Sequence, residues 1–508
     1  MKNKYYLTTP IYYVNDKPHL GHAYTSLVAD TIARYKKLMS YEVFFATGTD
    51  EHGQKVEEAA RIKNKSPKDF VDEVSNQFIN LTRVLKISNQ DFIRTSEKRH
   101  ISYVQKIWNI LKENGDIYLD TYKGWYSVRD ESFIAENEIT TDKNNEKLGP
   151  SGDKLKWLEE PSYFFKLSKW QDKLLNFYKK NPDFIKPKSR YNEVLKFVEN
   201  GLADLSISRT SFTWGIKVPD SSEHIVYVWL DALFNYISVL DTEEKFNNFW
   251  PASVHIVGKD ILRFHGIFWP AFLMSANLSI PQKIFAHGWW TIEGEKMSKS
   301  LGNVIDPLHL IEKYGNDQIR YFLLREISFG EDGNFSEVNL INRLNSDLTN
   351  DLGNLVQRVL SMIIKYTDGN VFKREKIDED DKDLLNSPED IFEKYTYLMD
   401  NFKFNQAIII IWDIIRKANA YVDLKAPWSL YKKNDKKTLY TVLNVLINTI
   451  FKVNILLQPI LPFASKKIFR QLNVEEVQNF GLINSEVEVG SKINKPEGVF
   501  PRIAEDKG

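Results

Sequence analysis

An α/β fold split by an insertion and followed by an all-α bundle is predicted by three observations. Strand-like and helix-like runs alternate over residues 1–114 and again over 226–290. Between them, at 115–225, Gly, Asp, Asn and aromatic residues crowd together, as in Gly124-Trp-Tyr-Ser-Val-Arg-Asp130. After residue 345 strand signals nearly vanish and long helical periods take over.

Taken in order, Lys4 to Thr9 reads as a short strand, and a turn over Pro10-Ile-Tyr-Tyr-Val-Asn-Asp-Lys-Pro-His19-Leu-Gly-His22 leads into a helix. That helix, Leu20 to Leu38, carries Ala23, Leu27, Val28, Ile32 and Tyr35 at helical spacing. Tyr41 to Thr47 is an apolar strand ending in Gly48-Thr-Asp50-Glu-His52-Gly53, the edge where open α/β sheets bind ligands. Helices Ser66 to Leu85 and Ser96 to Leu111 cover the sheet. In the insertion, Lys147 to Lys156 is a polar loop. The sheet is expected to resume at Ile225 to Trp229, and Trp229, Ala232 and Tyr236 then share a helical face. Val254 to Val257 is a strand, followed by Gly258-Lys-Asp260-Ile261 and a helix through His265 and Trp269. Ile284 to His287 leads to a loop region at 291–345. In the bundle, 346–508, Leu348, Leu352, Leu355, Val356, Val359 and Ile363 make one stripe. Asn350, Asn354 and Arg358 line the other side. Phe402 to Leu424 and Thr438 to Leu457 are further long helices, Asp378 to Asp383 reads as a solvated acidic loop, and the tail from Glu488 is extended.

A chain of 508 residues exceeds what one core supports. Its 68 basic residues balance 68 acidic ones, so any nucleic-acid contact must come from local patches. With no cysteine, disulfides, thiolate metal sites and thiol catalysis are excluded. The N-terminus lacks a signal-peptide core, and Leu439 to Phe463 is broken by Asn444, Asn448, Lys452, Asn454 and Pro459. A cytoplasmic protein without a membrane span is expected.

Two segments carry the chemistry. His19, Gly21 and His22 stand at a helix start, where free N–H groups and the dipole attract phosphate. Far downstream, Lys296-Met-Ser-Lys299-Ser300 lies between Gly294 and Gly302, and its two lysines suit a polyphosphate. Singly, each has a bland reading: a structural histidine pair, a solvated basic turn. Together, in this order, they resemble the signatures of the class I aminoacyl-tRNA synthetases, and the surrounding residues resemble the methionyl-tRNA synthetase family along nearly the whole chain.

The resemblance implies a Rossmann-like catalytic domain with a connective insertion, a helical anticodon-binding domain, and two-step charging of tRNA(Met), initiator tRNA included. ATP with Mg²⁺ reacts with methionine to give methionyl-adenylate, releasing pyrophosphate, and transfer to tRNA releases AMP. His19, His22, Lys296 and Lys299 would serve catalysis, Gly21 would admit adenine, and Asp260 would accept from ribose hydroxyls. Asp50 would take the methionine ammonium, with Ile11, Tyr13, Trp229, Ala232, Tyr236, Ile261 and His265 around the side chain. Asn350, Asn354, Arg358 and Trp428 match positions that read the CAU anticodon. The family often carries a zinc knuckle in the insertion; Ser127 and Asp130 stand where one cysteine pair would be, so no zinc is expected. The chain ends without the module that dimerises some relatives, which implies a monomer. Against the pocket and anticodon roles stands ordinary core packing of Trp and Tyr, and for Asn354 and Arg358 a merely wet helix face.

Synthetases for isoleucine, valine and leucine share both signatures but carry a larger editing insertion, and the cysteinyl enzyme needs a zinc site. A small-molecule adenylyl- or nucleotidyltransferase lacks any reason for the Asn/Arg stripe. A non-catalytic RNA-binding paralogue has no use for His19, His22 and Lys299 together.

Overall fold

In the computed structural model residues 3–128, 132–134, 136–292, 294–296 and 304–504 are described. They divide into two units: Lys4–Ala29 with Val43–His287, and Met1–Asn3 with Asp30–Glu42 and Gly288–Gly508. The fold is mixed α/β followed by a helical bundle.

The first unit is built on a six-stranded sheet. Its spatial order is β3 (Asp91–Arg94), β2 (Glu42–Asp50), β1 (Lys4–Tyr13), Val254–Gly258, Ile284–His287 and Ile185–Lys186. Leu7 faces Val254 in parallel register, and β2 runs parallel to β3 with Thr49 opposite Arg94. Strand order therefore reverses between β1 and Val254–Gly258, the topological position where open sheets leave a crevice at the strands' carboxyl ends. Val43 through Asp50 are all buried, as expected of a strand covered on both faces.

Helix α1 (Leu20–Leu38) starts one residue after His19. Helix α2 (Gln54–Ile62) follows β2, and α3 (Pro67–Val84) begins where Ser66 accepts from Asp69 N with Pro67 in the first turn. Helix α4 spans Lys98–Glu113. Several sequence expectations are corrected here. β1 continues through Pro10 to Tyr13, β2 continues to Asp50, and α2 and β3 were not expected. Ile225 to Trp229 is not a strand of the main sheet. Ser221–Val226 pairs antiparallel with Ser208–Arg209 and Lys217–Val218, near neighbours in the chain, and Val228–Leu233 is already helix. Partners a few residues away close cheaply, and they win over a distant parallel edge.

Within the stretch 115–225, Ile117–Ser127 and Lys156–Phe165 form a long antiparallel pair, while Ile185–Lys186 pairs with Ile284–His287. Ser127 Oγ donates to Asp153 Oδ2 at 2.6 Å; Asp130 lies outside the described residues.

In the second unit, Trp290–Ile292 pairs with Glu295–Lys296 and Gly333–Phe335. Helices Pro307–Tyr314, Asn316–Arg325, Glu337–Arg343, a π-helical Leu344–Gly353, Asn354–Thr367, Glu379–Asp390, Phe392–Asp400, Phe404–Lys425, Lys436–Leu457 and Pro462–Leu472 are among those that follow. Arg320, fully buried, donates to Asp30 Oδ2 at 2.7 Å, Thr31 Oγ1, and the carbonyls of Pro459 and Ile460. Asp378 to Asp383 is not a solvated loop. Asp378 caps Glu379–Asp390 in a reciprocal box with Asp381, and Lys425 bridges Asp378 and Asp381. Acidic side chains suit a helix start because they answer its exposed N–H groups.

Lys436–Leu457 is long and apolar enough to cross a membrane, yet 94% of its most apolar window is buried in the bundle. Asn448 and Asn454 donate to the carbonyls of Asn444 and Ser465, and Lys452 pairs with Glu389. The tail returns to the bundle, with Ile503 and Asn345 exchanging hydrogen bonds of 2.9 Å.

Candidate active site

The two histidines hold each other. His19 N donates to His22 Nδ1 at 3.1 Å, and Gly21 N donates to His19 Nδ1 at 3.1 Å. A backbone N–H only donates, so both Nδ1 atoms accept and each neutral ring carries its proton on Nε2. Burial, then the neighbouring His19, hold His22 well below the usual histidine range, so it stays neutral. Tyr12 and Phe78 pack on His22 at ring distances of 4.9 and 5.2 Å. The result is a pair of uncharged N–H donors at the start of α1. A Cβ at Gly21 would stand 2.9 Å from His19 Cε1, so a side chain there would push the histidine ring from its place.

Across the crevice topology, Ile11 and Tyr13 lie two apart on β1, on one face, and both are partly buried against the same core as Trp229 and Ile261. Trp229 stacks on Phe264 with centroids 3.7 Å apart and planes at 8°. His265 Nδ1 donates to Ile261 O at 2.9 Å, which leaves Nε2 to accept from the Tyr236 hydroxyl at 2.7 Å. Burial pushes His265 down to about 4, so this tautomer is the neutral one. Tyr236 stacks on His255, itself held by Thr8 and by Trp269 Nε1. Trp269 is fully buried and belongs to the core. Ala232 is buried on Val228–Leu233.

Asp50 ends β2, 8% exposed, and its carbonyl accepts from Val14 N at 3.1 Å, joining the ends of β1 and β2. Next to it Glu51 is fully buried and accepts from Thr49, Ser75, Ser96 and both sides of the Arg94 fork. Asp260 is exposed two residues after Val254–Gly258, and a Cβ on Gly258 would lie 2.5 Å from its Oδ1.

In the second unit Asn350 and Asn354 are exposed, Arg358 pairs with Asp423 at 2.8 Å, and Trp428 is 38% exposed rather than core. The stacked pair Tyr366–Tyr431, centroids 4.4 Å apart, stands on the same two helices as Arg358 and Trp428. Lys296 lies in the strand Glu295–Lys296, and Lys299 falls outside the described residues. Among the described residues no group of three His, Cys, Asp or Glu could hold a metal.

Two groups of expected residues therefore meet in contact, His19 with Gly21 and His22, and Trp229 with Tyr236, Ile261 and His265. Phe264 was missed, although it directly precedes His265; the Asp50-Glu51-His52 triplet was visible, but not the set of donors around Glu51.

A family model described as tRNA synthetases class I (M) matches residues 5–360, and one described as the anticodon binding domain of methionyl tRNA ligase matches 371–508. The fold and site thus define a class I aminoacyl-tRNA synthetase. A methionine--tRNA ligase of Rickettsia felis is 50% identical over 515 residues, covering 100% of both chains. One of Thermotoga maritima is 46% identical over 510 residues, 98% of this chain and 80% of that one. The structure of Mycobacterium tuberculosis methionyl-tRNA synthetase in complex with methionyl-adenylate matches with a TM-score of 0.96 at 44% identity, covering 99% of this chain and 100% of that one. The chain belongs to the methionyl-tRNA synthetase family, the enzymes that attach methionine to tRNA.

Proposed function

We propose that the two neutral histidines stabilise the α-phosphate of ATP as the methionine carboxylate attacks it, each donating from Nε2. Catalysis of this kind is positioning and charge stabilisation rather than covalent work by the protein. Asp260 accepts from the ribose hydroxyls, adenine lies against the backbone at Gly21, and Lys299, supported by Lys296, neutralises the outer phosphate oxygens that Mg²⁺ accompanies. Asp50 takes the ammonium of methionine. Ile11, Tyr13, Trp229, Ala232, Tyr236, Ile261 and His265 receive the side chain, whose sulfur gains about 0.3–1.5 kcal/mol from each good aromatic contact.

The observation that carries this assignment is the Tyr236–His265 hydrogen bond beside the Trp229–Phe264 stack. It gives an aromatic wall in which the Tyr236 hydroxyl and both His265 nitrogens are already paired, which suits a thioether and disfavours a polar side chain. The second step passes the methionyl group to tRNA(Met), initiator tRNA included, with Asn350, Asn354, Arg358 and Trp428 reading the CAU anticodon by hydrogen bonding and stacking. A monomer acting in the cytoplasm completes the reading. Methionine-dependent ATP–pyrophosphate exchange tests it: exchange should proceed with methionine and fail with leucine and isoleucine. Equal exchange with leucine would overturn the pocket assignment.

A further inference from the structure

Asp231 stands between Trp229 and Ala232 on the helix Val228–Leu233, yet it faces away from solvent altogether, at 0% exposure. Its Oδ2 meets His52 Nδ1 at 2.7 Å and its Oδ1 meets His100 Nε2 at 2.7 Å; His100 Nδ1 in turn meets Ser238 Oγ at 2.7 Å. Burial pushes the carboxyl up, but His52 and His100 beside it outweigh burial and hold it below its usual range, so it is an ionised acceptor for two imidazole N–H groups. This one side chain therefore ties three elements: the pocket helix, the first turn of α4, and the segment Asp50–Gly53.

That segment is anchored at successive residues by different partners. Thr49 is in the β2–β3 ladder, Glu51 is clamped by Arg94, and Trp214 Nε1 donates to the Glu51 carbonyl at 2.6 Å. The bond to His52 reaches it from the helix that also carries Trp229 and Ala232. We propose that Asp231 is a positioning residue for amino-acid recognition, fixing the distance between the carboxylate of Asp50 and the aromatic wall, so that amino group and side chain are read at one spacing. The inference rests on Asp50 being the ammonium acceptor. Misplacement of a binding group by a fraction of an ångström is costly when two ends of one small ligand must be met together.

The test uses the full chain and two ligands, methionine and its analogue without the amino group, 4-(methylthio)butanoate. In Asp231→Asn the KM for methionine in ATP–pyrophosphate exchange should rise about tenfold, with the KM for ATP changed less than about twofold. The inhibition constant of the analogue should also stay within about twofold of wild type. Equal weakening of both ligands would mean that the pocket helix itself has shifted, and an unchanged methionine KM would mean that His52 needs no anchor; either overturns the proposal. Should Asp231→Asn fail to fold, His52→Leu and His52→Asn replace it. The asparagine amide nitrogen falls near where Nδ1 stands, so His52→Asn should recover the methionine KM that His52→Leu loses, and equal behaviour of the two overturns the proposal. Asp50→Asn is measured alongside: if it binds methionine as wild type does, the role of Asp50 falls, whereas weak binding there with normal binding in Asp231→Asn overturns only the role of Asp231.

Discussion

His265 shows how one side chain of the proposed pocket also bears on stability. Its Nδ1 is bonded to a backbone carbonyl and its Nε2 accepts from Tyr236, so the ring is useful only while neutral. Burial lowers it to about 4 from an ordinary 6.5, and the unfolded chain therefore binds a proton that the folded chain refuses. Stability should then fall as pH drops from about 6.5 to about 4, by roughly 3 kcal/mol from this group, and level off below. His22 and His255, also depressed by burial, act in the same sense. Urea midpoints of wild type and His265→Gln across this range would check it: the variant should show a shallower loss. Tyr236→Phe removes the donor to a buried nitrogen and should cost about 1–3 kcal/mol in the same measurement. Trp229, Ala232 and Tyr236 were legible as one face by their spacing, whereas His265 joined them only through the family resemblance. Phe264 was not legible, because spacing tells which residues share a face and not which rings stack across two elements.

At the scale of elements, local signals were read well and pairings were not. Ser66 followed by Pro67 announces the start of α3 through capping chemistry, and the structure begins the helix there. β3, four residues long, has no room for a periodic signal, and Ser221–Val226 has the composition of a main-sheet strand but pairs locally. The acidic run at Asp378 is exposed except for Asp381, as its charge suggested, but it caps and opens a helix and is not a loop. A second helix start carries a different lesson. Asp317 Oδ2 accepts from Ala464 N at 2.6 Å, in the first turn of Pro462–Leu472, but burial raises its carboxyl to about 6. The folded state takes up the proton more readily than the unfolded one, so ionisation above pH 6 opposes folding. Asp317→Asn keeps an acceptor for Ala464 and removes the charge. Calorimetry at pH 7.5 should show it more stable by about 1–3 kcal/mol, an advantage that vanishes below about pH 4.

For the molecule as a whole, the passage from an α/β part to a helical one was legible from the change of hydrophobic period near residue 345, while the catalytic and anticodon-binding roles came from the family resemblance. Which segments join each compact unit was not legible, since Asp30–Glu42 groups with the residues beyond Gly288 through contacts such as Arg320 with Asp30. Trp428→Ala should spare ATP–pyrophosphate exchange while lowering tRNA charging at least about tenfold, the outcome expected of an exposed ring in the proposed role of a base platform. Lys299→Ala should slow adenylate formation in single-turnover experiments by about a hundredfold or more while methionine binding stays near wild type. The helix Lys436–Leu457 has a consequence for synthesis. Translation lays down Asn354–Thr367, Glu379–Asp390 and Phe404–Lys425 before it leaves the ribosome, so the most lipid-like segment of the chain emerges beside helices that are ready to cover it. A deletion of Phe404–Lys425 would release that segment bare, a bilayer would compete with the bundle for it, and the shortened protein should sediment with membranes.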